Sequence, residues 1–137
     1  MSDFGPNPYV LDIENKTVEN SNFRETVWTG KYLQMTVMDI PVGGEIGAEI
    51  HDDHDQFLRI EEGKAHVMIG DSEQNLDIDQ VVSSDWAVFI PAGKWHNVLN
   101  VGDESIKLYS IYAAPDHLPG TIHATKEDAD NDPNEQH

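Results

Sequence analysis

The chain has no cysteine among its 137 residues, which excludes disulfides, thiolate nucleophiles and Cys-based zinc or iron-sulfur sites together. Any metal must be held by nitrogen and oxygen donors. Basic residues are also scarce, with 8 Lys and Arg against 26 Asp and Glu and a formal net charge of -18. A field of that sign repels phosphate backbones and anionic lipid surfaces, so neither nucleic acid nor membrane is expected as a partner. No run of about 18 apolar residues is present. Residues 1–10 lack both a basic n-region and an apolar h-region, so no signal peptide is read and the expected location is the cytoplasm.

A sustained helical period is missing as well. Residues 31–113 instead show short stretches of β-branched and aromatic residues, broken by Gly, Pro or Asp, which is the pattern of consecutive short strands. Strands are expected at 31–40, 46–51, 56–61, 64–69, 74–78, 86–90, 96–101 and 106–113. So many short strands in one small all-β body must close into a barrel or jelly roll, since open edges invite aggregation. One domain spanning 1–137 is expected, with a barrel core at about 31–113 and an extension at 114–137. A short helix is expected after Thr125, whose hydroxyl suits an N-cap ahead of the acidic Glu127 and Asp128. The tail at 128–137 and the Gly5-Pro6-Asn7-Pro8 stretch read as irregular.

The densest set of ligand-type residues is Glu49-Ile50-His51-Asp52-Asp53-His54-Asp55-Gln56. Residues two apart on a strand face one side, so Glu49 and His51 point together, and Gln56 at the start of the returning strand can face the same space. A turn at Pro91-Ala92-Gly93 then opens a strand with His96. Two imidazoles, a carboxylate and an amide oxygen can converge there. His54 is the rival ligand, but its place in the acidic loop reads as solvent-facing, with Asp52, Asp53 and Asp55 as a solvated turn.

Two motifs carry a resemblance to the single-domain cupins. The first runs Gly, five residues, His-x-His, three or four residues, Glu, six residues, Gly, and its frame fits Gly43, Glu49, His51, Gln56 and Gly63. The second, Gly, five residues, Pro-x-Gly, two residues, His, three residues, Asn, fits Asp85, Pro91, Gly93, His96 and Asn100. The chain departs from the family at three places: Glu49 stands for the first His, Gln56 for the Glu, and Asp85 for the opening Gly. The carboxylate has moved within the ligand set, and the Asp85 change is tolerable where the turn needs no positive φ. The C-terminal stretch also resembles that of bacterial single-domain cupins carrying Glu and Gln in the first motif.

The resemblance implies a cupin double-stranded β-helix and one divalent transition metal, Fe, Mn, Ni or Zn, bound by Glu49, His51, Gln56 and His96. It implies a small-molecule ligand, with a metal-dependent enzyme of dioxygenase, isomerase or decarboxylase type as one reading and a non-catalytic binding module as the other. Catalytic residues stay unassigned. Phe57, Met68, Trp86 and Phe89 are expected in the core, while His66, His117, His123 and Arg59 are expected at the surface. Tyr109 and Tyr112 differ in parity, so only one faces the barrel interior. A homodimer is expected, with Tyr9-Val10-Leu11-Asp12-Ile13 serving as a strand for exchange or edge pairing.

Overall fold

Alternation within the strands decides which side chains are buried. In the computed structural model, which describes residues 3–135, nine strands form two antiparallel sheets of a jelly-roll barrel. They are β1 (Arg24–Thr29), β2 (Gln34–Ile40), β3 (Asp55–Glu62), β4 (Ala65–Ser72), β5 (Asn75–Val82), β6 (Ala87–Ile90), β7 (Trp95–Asn100), β8 (Ile106–Ala113) and β9 (Ile122–His123). The larger sheet has the order β6-β3-β8-β2-β1-β9 and the smaller β5-β4-β7. Residues of even number on β2, β3 and β8 face the interior. Their register pairs Gln34 with Tyr112, Thr36 with Ser110, Met38 with Leu108 and Ile40 with Ile106.

That register grades the interior from apolar to polar. At one end Met38, Ile40, Leu58, Ile60, Ile106 and Leu108 are fully buried and meet Val67 and Val98 of the smaller sheet. Each such side chain contributes roughly 1.5–3 kcal/mol of burial, so this end supplies the stability. Further along the same faces the buried residues become Gln34, Thr36, Gln56, Ser110, Tyr112 and His96. The polar end is where ligands can be held.

The outer face of the larger sheet carries a second apolar cluster, Val27, Met35, Val37 and Tyr109, against which Leu11, Ile13, Phe57 and Ile111 pack. Helix α1 (Ile13–Glu19) covers it and is N-capped by Asp12, whose carboxylate accepts from Asn15 N at 3.1 Å. The strand expected at 9–13 is therefore absent. Those residues lead into a helix that closes the chain's own sheet, which removes the support for strand exchange. Tyr112 is the tyrosine that faces inward, as parity requires.

Other expectations need correction. Segment 46–51 forms no continuous strand, because Gly47 at φ 106 interrupts the ladder and only isolated bridges to β7 remain, at Glu45 with Leu99 and Glu49 with His96. Of the expected core residues, Trp86 is 49% and Phe89 70% exposed, and Phe57 and Met68 are only half-buried, since they lie on outward-facing positions. Asp85 does adopt positive φ, at 74°. Asp tolerates that region better than most residues, and here Arg59 Nη2 donates to its carboxylate at 2.9 Å. Strands β1 and β9 extend the sheet beyond 31–113.

Helix α2 (Lys126–Asp130) begins after Thr125 with a complete capping box, as expected. The tail that follows is more ordered than its composition suggests: a 3-10 turn, Pro133–Glu135, returns to the barrel. Gln136 and His137, the last two residues of that expectation, lie outside the described residues. No described helix is long and apolar enough to cross a membrane.

Asn100, the last residue of the second motif, has a structural role. Its Nδ2 donates to Ile40 O at 3.0 Å and Glu104 O at 2.9 Å, while its Oδ1 accepts from Gly102 N. Asn100→Ala strands those buried groups and should lower stability by about 2–3 kcal/mol in urea unfolding. A loss below about 0.5 kcal/mol would contradict this role.

Candidate metal centre

A backbone bridge places the first two residues. Glu49 N donates to His96 O and His96 N to Glu49 O, each at 3.0 Å. Residues paired across antiparallel strands in this way set their side chains side by side. His51, two residues beyond Glu49, returns to the same face, and its Nε2 lies 2.6 Å from Glu49 Oε2. The His51 and His96 rings have centroids 5.4 Å apart. One donor atom from each of Glu49, His51 and His96 lies within 4.8 Å of the others.

Gln56 enters from β3, where Gln56 Nε2 donates to Ser110 Oγ at 3.2 Å. That bond leaves Oε1 facing into the buried interior without a hydrogen-bond partner among the described residues. A buried acceptor of this kind carries a desolvation cost that a cation would offset. His96 Nδ1 lies 3.2 Å from Lys94 O. A carbonyl only accepts, so Nδ1 carries the proton and Nε2 keeps its lone pair, as a metal ligand requires.

His54 corrects the sequence reading. It is buried, with its ring 4.5 Å from that of His51 and 5.5 Å from that of Tyr112. Asp53, 91% exposed, accepts from His54 Nδ1 at 2.9 Å, turning Nε2 inward. The acidic run divides accordingly. Asp52 and Asp53 face solvent, whereas Asp55 accepts from Ala92 N at 2.9 Å and secures the turn before His96.

No motif spacing points to Asp116. Its Oδ1 lies 3.8 Å from both His51 Nδ1 and His54 Nε2, making a second group of three potential ligands that shares His51. Gln34 brings it there: the fully buried amide accepts from Asp116 N and His117 N and donates to His117 O at 2.7 Å. His117 and His123, expected at the surface, are buried for the same reason, since the extension folds back over the barrel. His123 Nε2 pairs with Asp132 Oδ2 at 2.9 Å. His66 and Arg59 do lie outward, with His66 paired to Asp79 and Arg59 to Asp85 and Glu61.

The charges are strongly coupled. Desolvation opposes ionisation of Glu49, but the hydrogen bond from His51 and the charges of His51, Arg24 and His96 prevail and hold its pKa at about 2. Desolvation likewise opposes protonation of His51, yet Glu49, Asp116 and Asp53 raise its pKa above the ordinary value. His96 moves down, because burial and the neighbouring His51 and His54 outweigh Lys94 O and Glu49. Burial raises the Tyr112 phenol, which stays protonated near neutrality. Around these groups opens a cavity of about 690 Å³ whose wall includes Glu49, His51, Trp95 and His117.

Comparison with known proteins places the chain among relatives of the same architecture. Residues 36–112 match the cupin domain family. The chain is 49% identical over 129 residues to the uncharacterised protein YrkC of Bacillus subtilis (strain 168), covering 94% of this chain and 69% of that protein. It is 36% identical over 115 residues to the uncharacterised protein L612 of Acanthamoeba polyphaga mimivirus, covering 83% and 70%. The crystal structure of BH2720 from Bacillus halodurans superposes with a TM-score of 0.94 at 50% identity, over 96% of this chain and all of that one.

The pKa directions set a pH dependence for metal-free protein. His51 has a folded pKa above its ordinary 6.5, so its contribution is complete below that value and is lost as pH rises through the folded pKa. Glu49 contributes above its ordinary 4.5 and loses that contribution as pH falls toward about 2. The stability gap between wild type and Glu49→Gln should therefore be widest between pH 4.5 and 6.5 in denaturant titrations. A gap that widens toward alkaline pH would contradict the pairing.

Proposed function

The chain belongs to the cupin family, and from that premise we propose that it binds one divalent transition metal through Glu49, His51 and His96, with Gln56 Oε1 as the fourth protein donor. The observation that carries this reading is the convergence of the three stronger donors within 4.8 Å of one another. Two neutral imidazoles and one carboxylate suit Fe, Mn, Ni or Zn, and the absence of thiolate disfavours Cu(I) and iron-sulfur chemistry. His54 Nε2, buried without a hydrogen-bond partner among the described residues, is the nearest competitor to Gln56.

The proposed activity is that of a metal-dependent enzyme acting on a small molecule held in the adjoining cavity. Bound metal would supply Lewis-acid polarisation of an oxygen-bearing ligand or, with iron, activation of dioxygen. Four protein donors leave about two positions of an octahedral ion for exchangeable ligands. His117 and Trp95 stand on the wall of that cavity beside Glu49 and His51, with the Tyr112 ring 5.2 Å from that of His117.

Elemental analysis of untagged protein tests the ligand set. His51→Ala and His96→Ala should lose nearly all bound metal, and Glu49→Gln should weaken affinity about tenfold or more. Retention of wild-type metal content by both histidine variants would overturn the proposal. If metal-loaded protein takes up none of nitric oxide, azide and small oxyacids, the non-catalytic alternative is the better reading.

A further inference from the structure

We propose that Arg24 is the anchor of a carboxylate subsite in the main cavity, so that the small molecule handled here carries a carboxylate. The inference rests on the proposed function only for the presence of a small-molecule ligand in that cavity. Cations are rare in this chain, yet one is buried inside the barrel. The Arg24 side chain is 6% exposed, and its Nε is buried with no hydrogen-bond partner among the described residues. It lines the same cavity of about 690 Å³ as Glu49 and His51.

A buried guanidinium is costly unless its N–H groups meet an anion. The anion nearest to doing so is Glu135, whose Oε1 lies 3.6 Å from Arg24 Nη1, beyond hydrogen-bonding range. Glu135 is instead held by His117, with Nδ1 at 2.5 Å from the same oxygen. By contrast Lys126, the other cation on the cavity wall, already contacts both carboxylate oxygens of Asp130 at 2.9 and 3.1 Å. Arg24, on the cavity wall, thus keeps unused donor capacity, whereas Lys126 is already engaged.

Several features select a carboxylate over other anions. A planar guanidinium matches a planar carboxylate through two parallel N–H···O bonds. The ring of Phe23 lies 5.3 Å from Arg24 Cζ and supports one face of that plane. Glu45 and Glu49 on the cavity wall penalise a phosphate dianion more than a monoanion. Glu135 is itself a carboxylate at the edge of the subsite, and it arrives on the short turn Pro133–Glu135 rather than on a strand. It occupies part of the position that an incoming carboxylate takes, and so competes with it.

Calorimetric titration of wild type, Arg24→Gln and Glu135→Gln with glycolate, pyruvate, their neutral amides and inorganic phosphate tests this, with metal content measured on the same samples. Wild type should bind at least one of the two acids, and the matching amide about tenfold or more weakly. Arg24→Gln should lose about tenfold or more of the acid affinity with unchanged metal content, and Glu135→Gln should tighten it several-fold by removing the competitor. Equal binding of acid and amide, acid binding indifferent to Arg24, or Arg24-dependent binding of phosphate alone would each overturn the proposal. So would the failure of both acids to bind wild type. If Arg24→Gln does not fold, the acid-to-amide contrast and the Glu135→Gln arm decide. Loss of metal with Arg24-dependent acid binding intact would sink the metal reading and leave the subsite standing.

Discussion

Polar and ionisable groups cannot be packed into one end of a small barrel unless each finds a compensating partner. The rest of the structure is arranged around that constraint. His51 is matched by Glu49, His54 by Asp53, His96 by the Lys94 carbonyl and His117 by Glu135. The apolar end, where Leu58, Ile60 and Leu108 are fully buried, provides the burial that offsets the cost of the polar end. Among the buried atoms that compensation leaves without hydrogen-bond partners in the described residues, three bear on ligand binding: Gln56 Oε1, His54 Nε2 and Arg24 Nε. Two are acceptors suited to a cation and the third is a donor suited to an anion.

The segments outside the barrel core serve the same end. Gln34 holds the main chain at Asp116 and His117, and Asp3 accepts from Thr29 Oγ1 at 2.6 Å and from Gly120 N at 3.2 Å. The β1–β2 region thereby fixes the loop that returns over the polar end. Helix α2 and the final turn then carry Glu135 to His117. A chain with net charge -18 concentrates several of its acidic groups against imidazole and guanidinium, where their repulsion is reduced. The arrangement explains why the acidic stretch 128–135 is ordered when its composition alone suggests otherwise.

Much of this was legible where side-chain parity and motif spacing act locally. The frame that joins Gly43 to Gly63 and Asp85 to Asn100 reports the barrel, and the parity that turns Gln56 inward follows from period two. The same parity, read two residues back from Gln56, turns His54 inward, so its burial was readable and was masked by the acidic residues around it. Asp116 and Glu135 were not readable, because their positions depend on Gln34 and His117 contacts across long sequence separations. Gly47 looked like part of a strand until its positive φ broke the ladder. Trp86 and Phe89 looked like core because composition ignores which face of β6 and its preceding turn points outward. Asp85 occupies a left-handed turn and its carboxylate accepts from Arg59, a contact no spacing rule predicts.

If the bridge between Glu49 and His96, with His51 beside it, is the metal-holding end of the barrel, anomalous diffraction from crystals of metal-loaded protein will show it. One strong peak is expected within about 2.0–2.3 Å of a nitrogen from each of His51 and His96 and of a Glu49 carboxylate oxygen. A peak on the other side of His51, bound by His54 and Asp116 with Glu49 and His96 out of reach, would contradict it, as would no peak near His51 at full metal loading.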